Sequence, residues 1–313
     1  MAADLAAASA GQPPTALAWL LFVGSSVHVG ATAGMFGFAE VRQHAATRKR
    51  RYLVAPLALV AGGAVLAAVT PSREVSVLLL GYFAWQLVHY QKQNLGLAAL
   101  AAAAAGARSL TKIERRALSL TAAAGALELA LRPHLLQLRL ADPDGSWVGP
   151  ARGLALVGYL GAVVAGLTAV LARTSGQRPA SLVVLYLIGL AFPAPIFLFA
   201  TPYATVGVLT IAHGLQYLLI TGIVVGGPDR MSRPTRLAAF AGVALGLGLA
   251  FNHASHWHTG GSLARAGYGA YLGVVMTHFV VDGGLWRLRD PFPRRFVGSR
   301  LPWPLISTPA RAA

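Results

Sequence analysis

Cysteine is absent from this chain of 313 residues, and acidic residues are scarce, with only ten aspartates and glutamates. The lack of cysteine excludes disulfide bonds, thiolate metal ligands and cysteine nucleophiles. A metal in this protein would therefore be bound by histidine nitrogens, carboxylates or amide oxygens.

Charge of either sign is also sparse. Only 12% of the residues are charged, 56% are hydrophobic, and the mean hydropathy is +0.59. This composition leaves too little polar surface to solvate a globule of this size in water. The apolar residues occur in long runs, such as 52–69 and 182–200, which match the roughly 20 residues that a helix needs to cross a bilayer. We therefore expect an all-α, polytopic integral membrane helix bundle.

The apolar runs predict nine membrane spans within a single transmembrane domain of residues 1–313. We see no run of sequence that would form a separate soluble domain. The predicted spans lie at 15–40, 53–70, 75–104, 117–132, 152–172, 181–200, 203–225, 236–251 and 265–286.

The positive charge follows these spans and does not form one patch. The net charge is +16, and most lysines and arginines lie in alternate loops, including 42–51, 108–116 and 287–300. Because positively charged loops stay on the cytoplasmic side, the pattern predicts an outer N-terminus and a cytoplasmic C-terminus. We predict a multi-pass protein of the inner or plasma membrane, surrounded by membrane lipids and without a nucleic-acid partner.

Four of the nine histidines fall inside apolar runs. His28, His89, His213 and His278 lie in the first, third, seventh and ninth predicted spans, which all run in one direction. Each lies about 10–14 residues from the outer end of its span, so at about 1.5 Å per residue they share one layer near the middle of the bilayer. An ionisable side chain at that depth is costly unless it faces the bundle interior and has a partner. Because neutral imidazole binds transition metals, we expect these four histidines to hold a metal.

Polar residues accompany three of these histidines at helical spacing, whereas we expect none beside His28. The glutamines among them are expected to contact a cofactor, and the tyrosine and the aspartate to act in catalysis or proton delivery. These residues are Gln86, Gln93, Gln216, Tyr217 and Asp282.

Simpler interpretations stay open for the same residues. A histidine in a membrane helix can serve only to hydrogen-bond a neighbouring helix. In the same way, Asp282 can form an ion pair with Lys92 or Arg287 instead of serving a catalytic site.

The other histidines lie outside the apolar runs. His44 and His134 are expected to be ordinary surface residues. At the outer end of the eighth span, His253, His256 and His258 either bind a metal or belong to a solvated loop.

The layout of the buried histidines resembles that of the bacteriorhodopsin-associated Brp/Blh-type membrane oxygenases. Proteins of that family combine histidines of early helices with a pair one helical turn apart in a later helix, and they cleave carotene to retinal with non-haem iron and O₂. The resemblance implies that His28 and His89 are the early ligands and that His213 is the first of the pair.

The sequence departs from the family pattern at the second position of the pair, which is Tyr217. The resemblance then implies that His278 and Asp282 supply the remaining ligands. Clustered HxxxH and HxxHH motifs, which are typical of lipid desaturases and alkane hydroxylases, are absent from the sequence.

The sequence therefore predicts a membrane oxygenase or oxidase that binds one or two non-haem iron ions and acts with O₂ on a lipophilic substrate, with an electron donor as a further partner. One alternative is an electron-transfer protein in which two of the histidines are axial ligands of haem b. Another is a transporter that moves protons or metal ions through the same His/Asp layer.

Overall fold

The structure is a computed structural model that describes residues 15–138, 140–228 and 232–301. Every regular element in these ranges is helical, and the ranges contain no β-strand. The predicted all-α class is confirmed.

The helices are numbered here in chain order, and several include a short π or 3₁₀ turn. They are α1 (Thr15–Gly37), α2 (Ala39–Thr47), α3 (Arg50–Val69), α4 (Ser72–Ala104), α5 (Lys112–Ala130), α6 (Val148–Leu171), α7 (Ala180–Leu198), α8 (Tyr203–Gly226), α9 (Arg233–Ser255), α10 (Ser262–Leu285) and α11 (Pro291–Gly298).

Six of these helices are long and apolar enough to cross a membrane: α1, α3, α6, α7, α8 and α9, the last with the short turn that follows it. Their exposed side chains are largely apolar, as Leu57 and Val65 of α3 and Leu154 and Val157 of α6 illustrate. Hydrocarbon solvates such faces, whereas water does not. The chain is accordingly a membrane protein with transmembrane helices.

Helices α4, α5 and α10 occupy the three other predicted spans but carry more polar and charged residues. The predicted boundaries agree with the helices to within a few residues, except that α5 begins at Lys112 and not near 117. In α7, Pro193 and Pro195 interrupt the helix between Ala191 and Ala194, because proline lacks the N–H that continues the hydrogen-bond ladder.

The described residues form two compact units. The first contains residues 76–209, which include α5, α6, α7 and most of α4. The second contains residues 15–75 and 210–301, which include α1, α2, α3, α9, α10, α11 and most of α8. The expectation of a single transmembrane domain stays a prediction.

In the first unit, helices α4 to α7 enclose a core of small and large apolar side chains. The small residues of α4 allow bulky side chains of α7 to pack closely against it. The core consists of Ala98, Ala101, Ala102, Leu110, Ala117, Leu118, Val170, Leu182, Tyr186 and Leu190.

Beside this core lie three buried polar side chains that satisfy one another. Gln91 donates hydrogen bonds to Thr121 Oγ1 and to the carbonyl oxygen of Gly189, both at 2.8 Å. Its own side-chain oxygen accepts a hydrogen bond from Asn94 at 3.0 Å. Both N–H groups and the oxygen of the Gln91 amide are therefore matched within the protein, as buried polar groups require.

A buried ion pair lies at the first turn of α5. Arg173 donates from Nε and Nη2 to the two oxygens of Glu114, each at 2.6 Å. The Glu114 carboxylate also accepts from the backbone N–H of Thr111, and the Thr111 hydroxyl caps the helix in return. Bidentate, charge-assisted bonds of this kind compensate for the desolvation of both ions.

In the second unit, α1 and α8 approach each other until their backbones touch. A Cβ atom at Gly24 would lie 2.6 Å from Cα of Ile211, and a Cβ atom at Gly214 would overlap the backbone of Gly24. Glycine at both positions therefore permits an approach that no other residue allows, as in other closely packed membrane helices. The contact lies one turn before His28 and immediately after His213, so it sets the distance between these two side chains.

Candidate metal centre

Three histidines of the second unit converge from α1, α8 and α10. The His28 ring lies 5.0 Å from the ring of His213 and 4.9 Å from that of His278, measured between centroids. The rings of His213 and His278 are 6.2 Å apart. All three pairs meet at steep angles, and all three side chains are buried. The predicted convergence of histidines is thus seen for these three residues.

The backbone of α1 changes its winding next to the site. Residues Val23–Val27 form a π-helical turn, and His28 begins the α-helical segment that follows. An extra residue in one turn rotates everything beyond it relative to a regular helix, and such turns are frequent at functional sites. Helix α8, which carries His213, also begins with a π turn, at Tyr203–Gly207.

The spacing of the ring nitrogens suits one metal ion. One nitrogen from each of His28, His213 and His278 can be chosen so that all three lie within 4.8 Å of one another. A metal that binds three imidazoles at about 2.1 Å would hold these nitrogens about 3–3.5 Å apart. Modest rotations of the three rings close that difference, so the cluster can bind a metal.

His28 gives the clearest sign that the cluster is built for a ligand. Within the described residues, neither of its ring nitrogens makes a hydrogen bond of normal geometry, although the ring lies near the backbone of Gly24 and Ser25. A buried imidazole without partners costs free energy. A metal ion on one nitrogen would remove that cost.

A second polar layer lies one helical turn further along the same three helices. Thr32 Oγ1 is 2.6 Å from His278 Nδ1 and 2.8 Å from the Tyr217 hydroxyl. Tyr217 in turn donates a hydrogen bond to Asp282 Oδ1 at 3.0 Å. Tyr217 and Asp282, two of the polar residues selected by their spacing from the histidines, thus lie together in this layer, and Thr32 belongs to it.

The two layers arise from three pairs of residues, each four positions apart on one helix. Since both the histidines and their partners meet across helices, α1, α8 and α10 run in the same direction. The pairs are His28 with Thr32, His213 with Tyr217, and His278 with Asp282.

Thr32 corrects one expectation. We expected no polar residue beside His28 at helical spacing, and this was wrong, because Thr32 lies four residues later on the same face. Threonine is common in membrane helices, where its hydroxyl often bonds to the backbone of its own helix, so it attracts little notice in a sequence. Its position four residues after a buried histidine is the signal in the sequence by which it could have been found.

Asp282 has no arginine partner in the described residues. Its carboxylate accepts from Tyr217, and its second oxygen lies 3.5 Å from His278 Nδ1. No ion pair with Arg287 is formed in this part of the chain. Of the interpretations left open by the sequence, a role beside the histidines agrees best with these contacts.

The fourth predicted ligand, His89, belongs to the first unit, where it is buried in α4. Its role as a ligand stays a prediction. Gln86 donates a hydrogen bond to the Tyr90 hydroxyl at 2.6 Å, and Gln93 and Gln216 are half-buried. The predicted contacts of these three glutamines with a cofactor likewise stay predictions.

The histidines at the end of α9 do not form a metal site in the structure. His253, His256 and His258 are exposed, and they are absent from the groups of side chains in the described ranges that converge closely enough to bind an ion. Nδ1 of His256 lies 2.7 Å from the carbonyl oxygen of Asn252, one turn earlier. These contacts favour the solvated loop over a second metal site.

His134 is exposed, as expected, whereas His44 is half-buried. The His44 ring stacks on Phe292 with 4.1 Å between centroids, and partial burial together with the charge of Arg48 lowers its pKa. His134 Nδ1 forms an exposed pair with Asp142 at 2.5 Å.

No family model, no curated protein and no solved structure matches this chain. The site itself is therefore the basis for assigning a function. Its main elements are three histidines in mutual contact, a hydrogen-bonded layer beneath them, and helices suited to a membrane.

Proposed function

We propose that this protein is a membrane-embedded metalloenzyme, a non-haem iron oxygenase or oxidase that acts with O₂ on a lipophilic substrate. The observation that carries the proposal is the mutual contact of His28, His213 and His278 in a buried layer. Three neutral imidazoles from separate helices suit a redox metal such as iron and leave coordination positions open.

The residues divide into two roles. The three histidines would hold the metal, which supplies redox chemistry and a binding position for O₂. Thr32, Tyr217 and Asp282 would orient His278 and hold exchangeable protons at their hydroxyl and carboxylate oxygens. The burial of these side chains keeps bulk water from the site, and an apolar substrate would enter it from the bilayer.

The proposed topology has nine spans, with α4, α5 and α10 crossing the bilayer beside the six more apolar helices. The parallel direction of α1, α8 and α10 supports this count, because the first, seventh and ninth spans of a nine-span protein all cross the membrane in the same direction. The charge bias of the loops supports an outer N-terminus and a cytoplasmic C-terminus in the inner or plasma membrane. The orientation can be checked by labelling the loop arginines, or cysteines introduced into single loops. The measurement is whether a reagent reaches each loop from one side of the membrane or from the other.

The resemblance to the Brp/Blh-type oxygenases supports the choice of iron and of a lipophilic substrate in this proposal. In that scheme Tyr217 stands where the family has the second histidine of its pair, and His278 and Asp282 are proposed to supply the remaining ligands beside His89. We also propose an electron donor as a partner. It would supply those electrons for the reduction of O₂ that the substrate does not provide.

The haem alternative fits the geometry less well. The rings of His28, His213 and His278 touch one another edge to face, with centroids as close as 4.9 Å. A flat macrocycle bound between two axial histidines would have to separate them. A single small ion needs only ring rotations.

Elemental analysis of detergent-purified protein tests the proposal. We expect wild type to contain stoichiometric iron and the variants His213→Ala and His278→Ala to lose it. Removal of an outer hydrogen-bond partner typically lowers metal affinity by roughly 10–100-fold, and the loss of a ligand should have a larger effect. His256→Ala is the matched control and should retain the metal. Wild type without bound transition metal would overturn the proposal, a Soret band would favour haem, and ion-coupled uptake by metal-free protein in vesicles would favour a transporter.

A further inference from the structure

Four buried side chains of the second unit form a continuous chain of hydrogen bonds. The chain runs from His278 Nδ1 to Thr32 Oγ1, then to the Tyr217 hydroxyl and finally to Asp282, with steps of 2.6, 2.8 and 3.0 Å. Because all four side chains are buried, water does not compete for these bonds. The chain ends in a carboxylate, which can only accept when it is ionised.

The number of protons on these side chains determines which atom donates and which atom accepts in each hydrogen bond. The Tyr217 hydroxyl has one proton and donates it to Asp282, so its oxygen accepts the bond from Thr32. The single proton of Thr32 is used in that bond. The Thr32 oxygen must then accept from His278 Nδ1, which therefore carries a proton.

A second contact favours the same assignment. Asp282 Oδ2 lies 3.5 Å from His278 Nδ1, one turn away on the same helix. A carboxylate oxygen at this distance favours an N–H group at Nδ1 over a lone pair, because the oxygen offers only lone pairs on that side. Two oxygen atoms from different residues thus face the Nδ1 proton.

We infer that Thr32 is a positioning residue that holds His278 in the tautomer protonated at Nδ1. This tautomer carries its lone pair on Nε2, which makes Nε2 the metal-binding atom of His278. The chain also links His278 to the carboxyl group of Asp282, and hydrogen bonds of this kind orient a histidine ligand and raise its basicity. The functional consequence rests on the proposed metal centre, whereas the tautomer itself exists without metal.

The tautomer can be measured directly in metal-free protein. In ¹⁵N-histidine-labelled protein, treated with chelator and placed in detergent, the His278 signals are identified by their loss in His278→Gln. We expect a protonated Nδ1 in wild type and in Thr32→Ser, which keeps the hydroxyl. In Thr32→Val, which has nearly the same shape without the hydroxyl, we expect a mixture of tautomers. A wild type protonated at Nε2, or a Thr32→Val spectrum identical to wild type, would overturn the inference.

Cobalt(II) is the probe for the functional consequence. We expect Thr32→Val to weaken Co²⁺ binding by about 10–100-fold and to change its visible spectrum, and Thr32→Ser to restore both. Tyr217→Phe interrupts the same chain one step further on and should have a similar effect. The double variant should bind no more weakly than the weaker single variant, because both changes break one chain. Fully additive losses would show two independent contacts and contradict the inference.

The two proposals fail in different ways. If wild type has the Nδ1-protonated tautomer but binds neither Co²⁺ nor iron, the inference about Thr32 holds and the metal centre is wrong. If wild type binds Co²⁺ and Thr32→Val binds it equally well with the same spectrum, the metal centre holds and the role of Thr32 is wrong.

Discussion

The two units bury polar side chains in different ways. In the first unit, both N–H groups and the oxygen of the Gln91 amide are matched by Thr121, Gly189 and Asn94. In the second unit, three imidazoles touch one another, and the nitrogens of His28 make no hydrogen bond of normal geometry within the described residues. A polar group that the protein itself satisfies contributes to folding, whereas one that it leaves unsatisfied costs stability and is available to a ligand.

This difference separates buried polar residues that stabilise from those that bind. Burial and polarity alone do not distinguish Gln91 from His28, because both are enclosed in apolar surroundings. The distinction lies in whether each donor and acceptor has a partner. The comparison predicts opposite responses to apolar substitution in the two units.

The largest effect on stability is expected at the ion pair of the first unit. Glu114→Gln leaves the buried Arg173 without its counter-charge, which costs about 3–5 kcal/mol of unfolding free energy. The free energy can be measured by unfolding in mixed micelles of detergent and dodecyl sulfate. The exposed Glu74→Gln is the matched control and should change little. Equal stability of the two variants would mean that the pair does not stabilise the first unit.

A smaller loss is expected when the satisfied network is broken. Gln91→Leu leaves the Gly189 carbonyl and the Asn94 amide without their partner, which costs about 1–3 kcal/mol, while the metal content should stay at the wild-type level. The same unfolding assay applies, with the exposed Gln43→Leu as control. Loss of metal together with a wild-type unfolding transition would contradict a purely structural role of Gln91.

The opposite response is expected in the second unit. His28→Leu removes a buried imidazole that makes no hydrogen bond of normal geometry within the described residues, so the chelator-treated protein should stay within about 1 kcal/mol of wild type or become more stable. The same variant should lose its bound metal. A metal-free variant that is destabilised as strongly as Gln91→Leu would place His28 among the structural residues and remove the contrast between the units.

The smallest effect is expected at the end of α9. His256→Ala and His258→Ala change exposed rings, so stability should shift by less than about 0.5 kcal/mol and the metal content should not change. Elemental analysis and the unfolding assay check both statements. A fall in metal content in either variant would reveal a second site that the structure does not show.

The sequence predicted the helices well because each long apolar run is a local property of the chain. The layer of His28, His213 and His278 was also predictable, since depth along a span follows from counting residues. The sequence did not predict which face of α4 points towards the neighbouring helices. Gln93 was selected by its spacing from His89, yet the structure buries Gln91 and leaves Gln93 half-exposed, because the inward face depends on which helices pack against α4.

Two further features depend on contacts between distant parts of the chain. The residues of the π turn at Val23–Val27 have no distinctive composition, because the turn reflects how α1 packs against its neighbours. The approach of Gly24 to Gly214 needs the relative register of two helices almost 200 residues apart, which no pattern within either helix contains.

Because of this contact between Gly24 and Gly214, the metal affinity of the proposed site should depend on the spacing between α1 and α8. A methyl group at residue 24 or 214 touches neither metal nor ligand, yet it would push the two backbones apart and carry His28 away from His213. A substitution by a small residue at these positions would thus weaken metal binding at the proposed site, although the substituted residue is not a ligand. A search for loss-of-function changes in this protein should begin at its smallest residues as well as at its histidines.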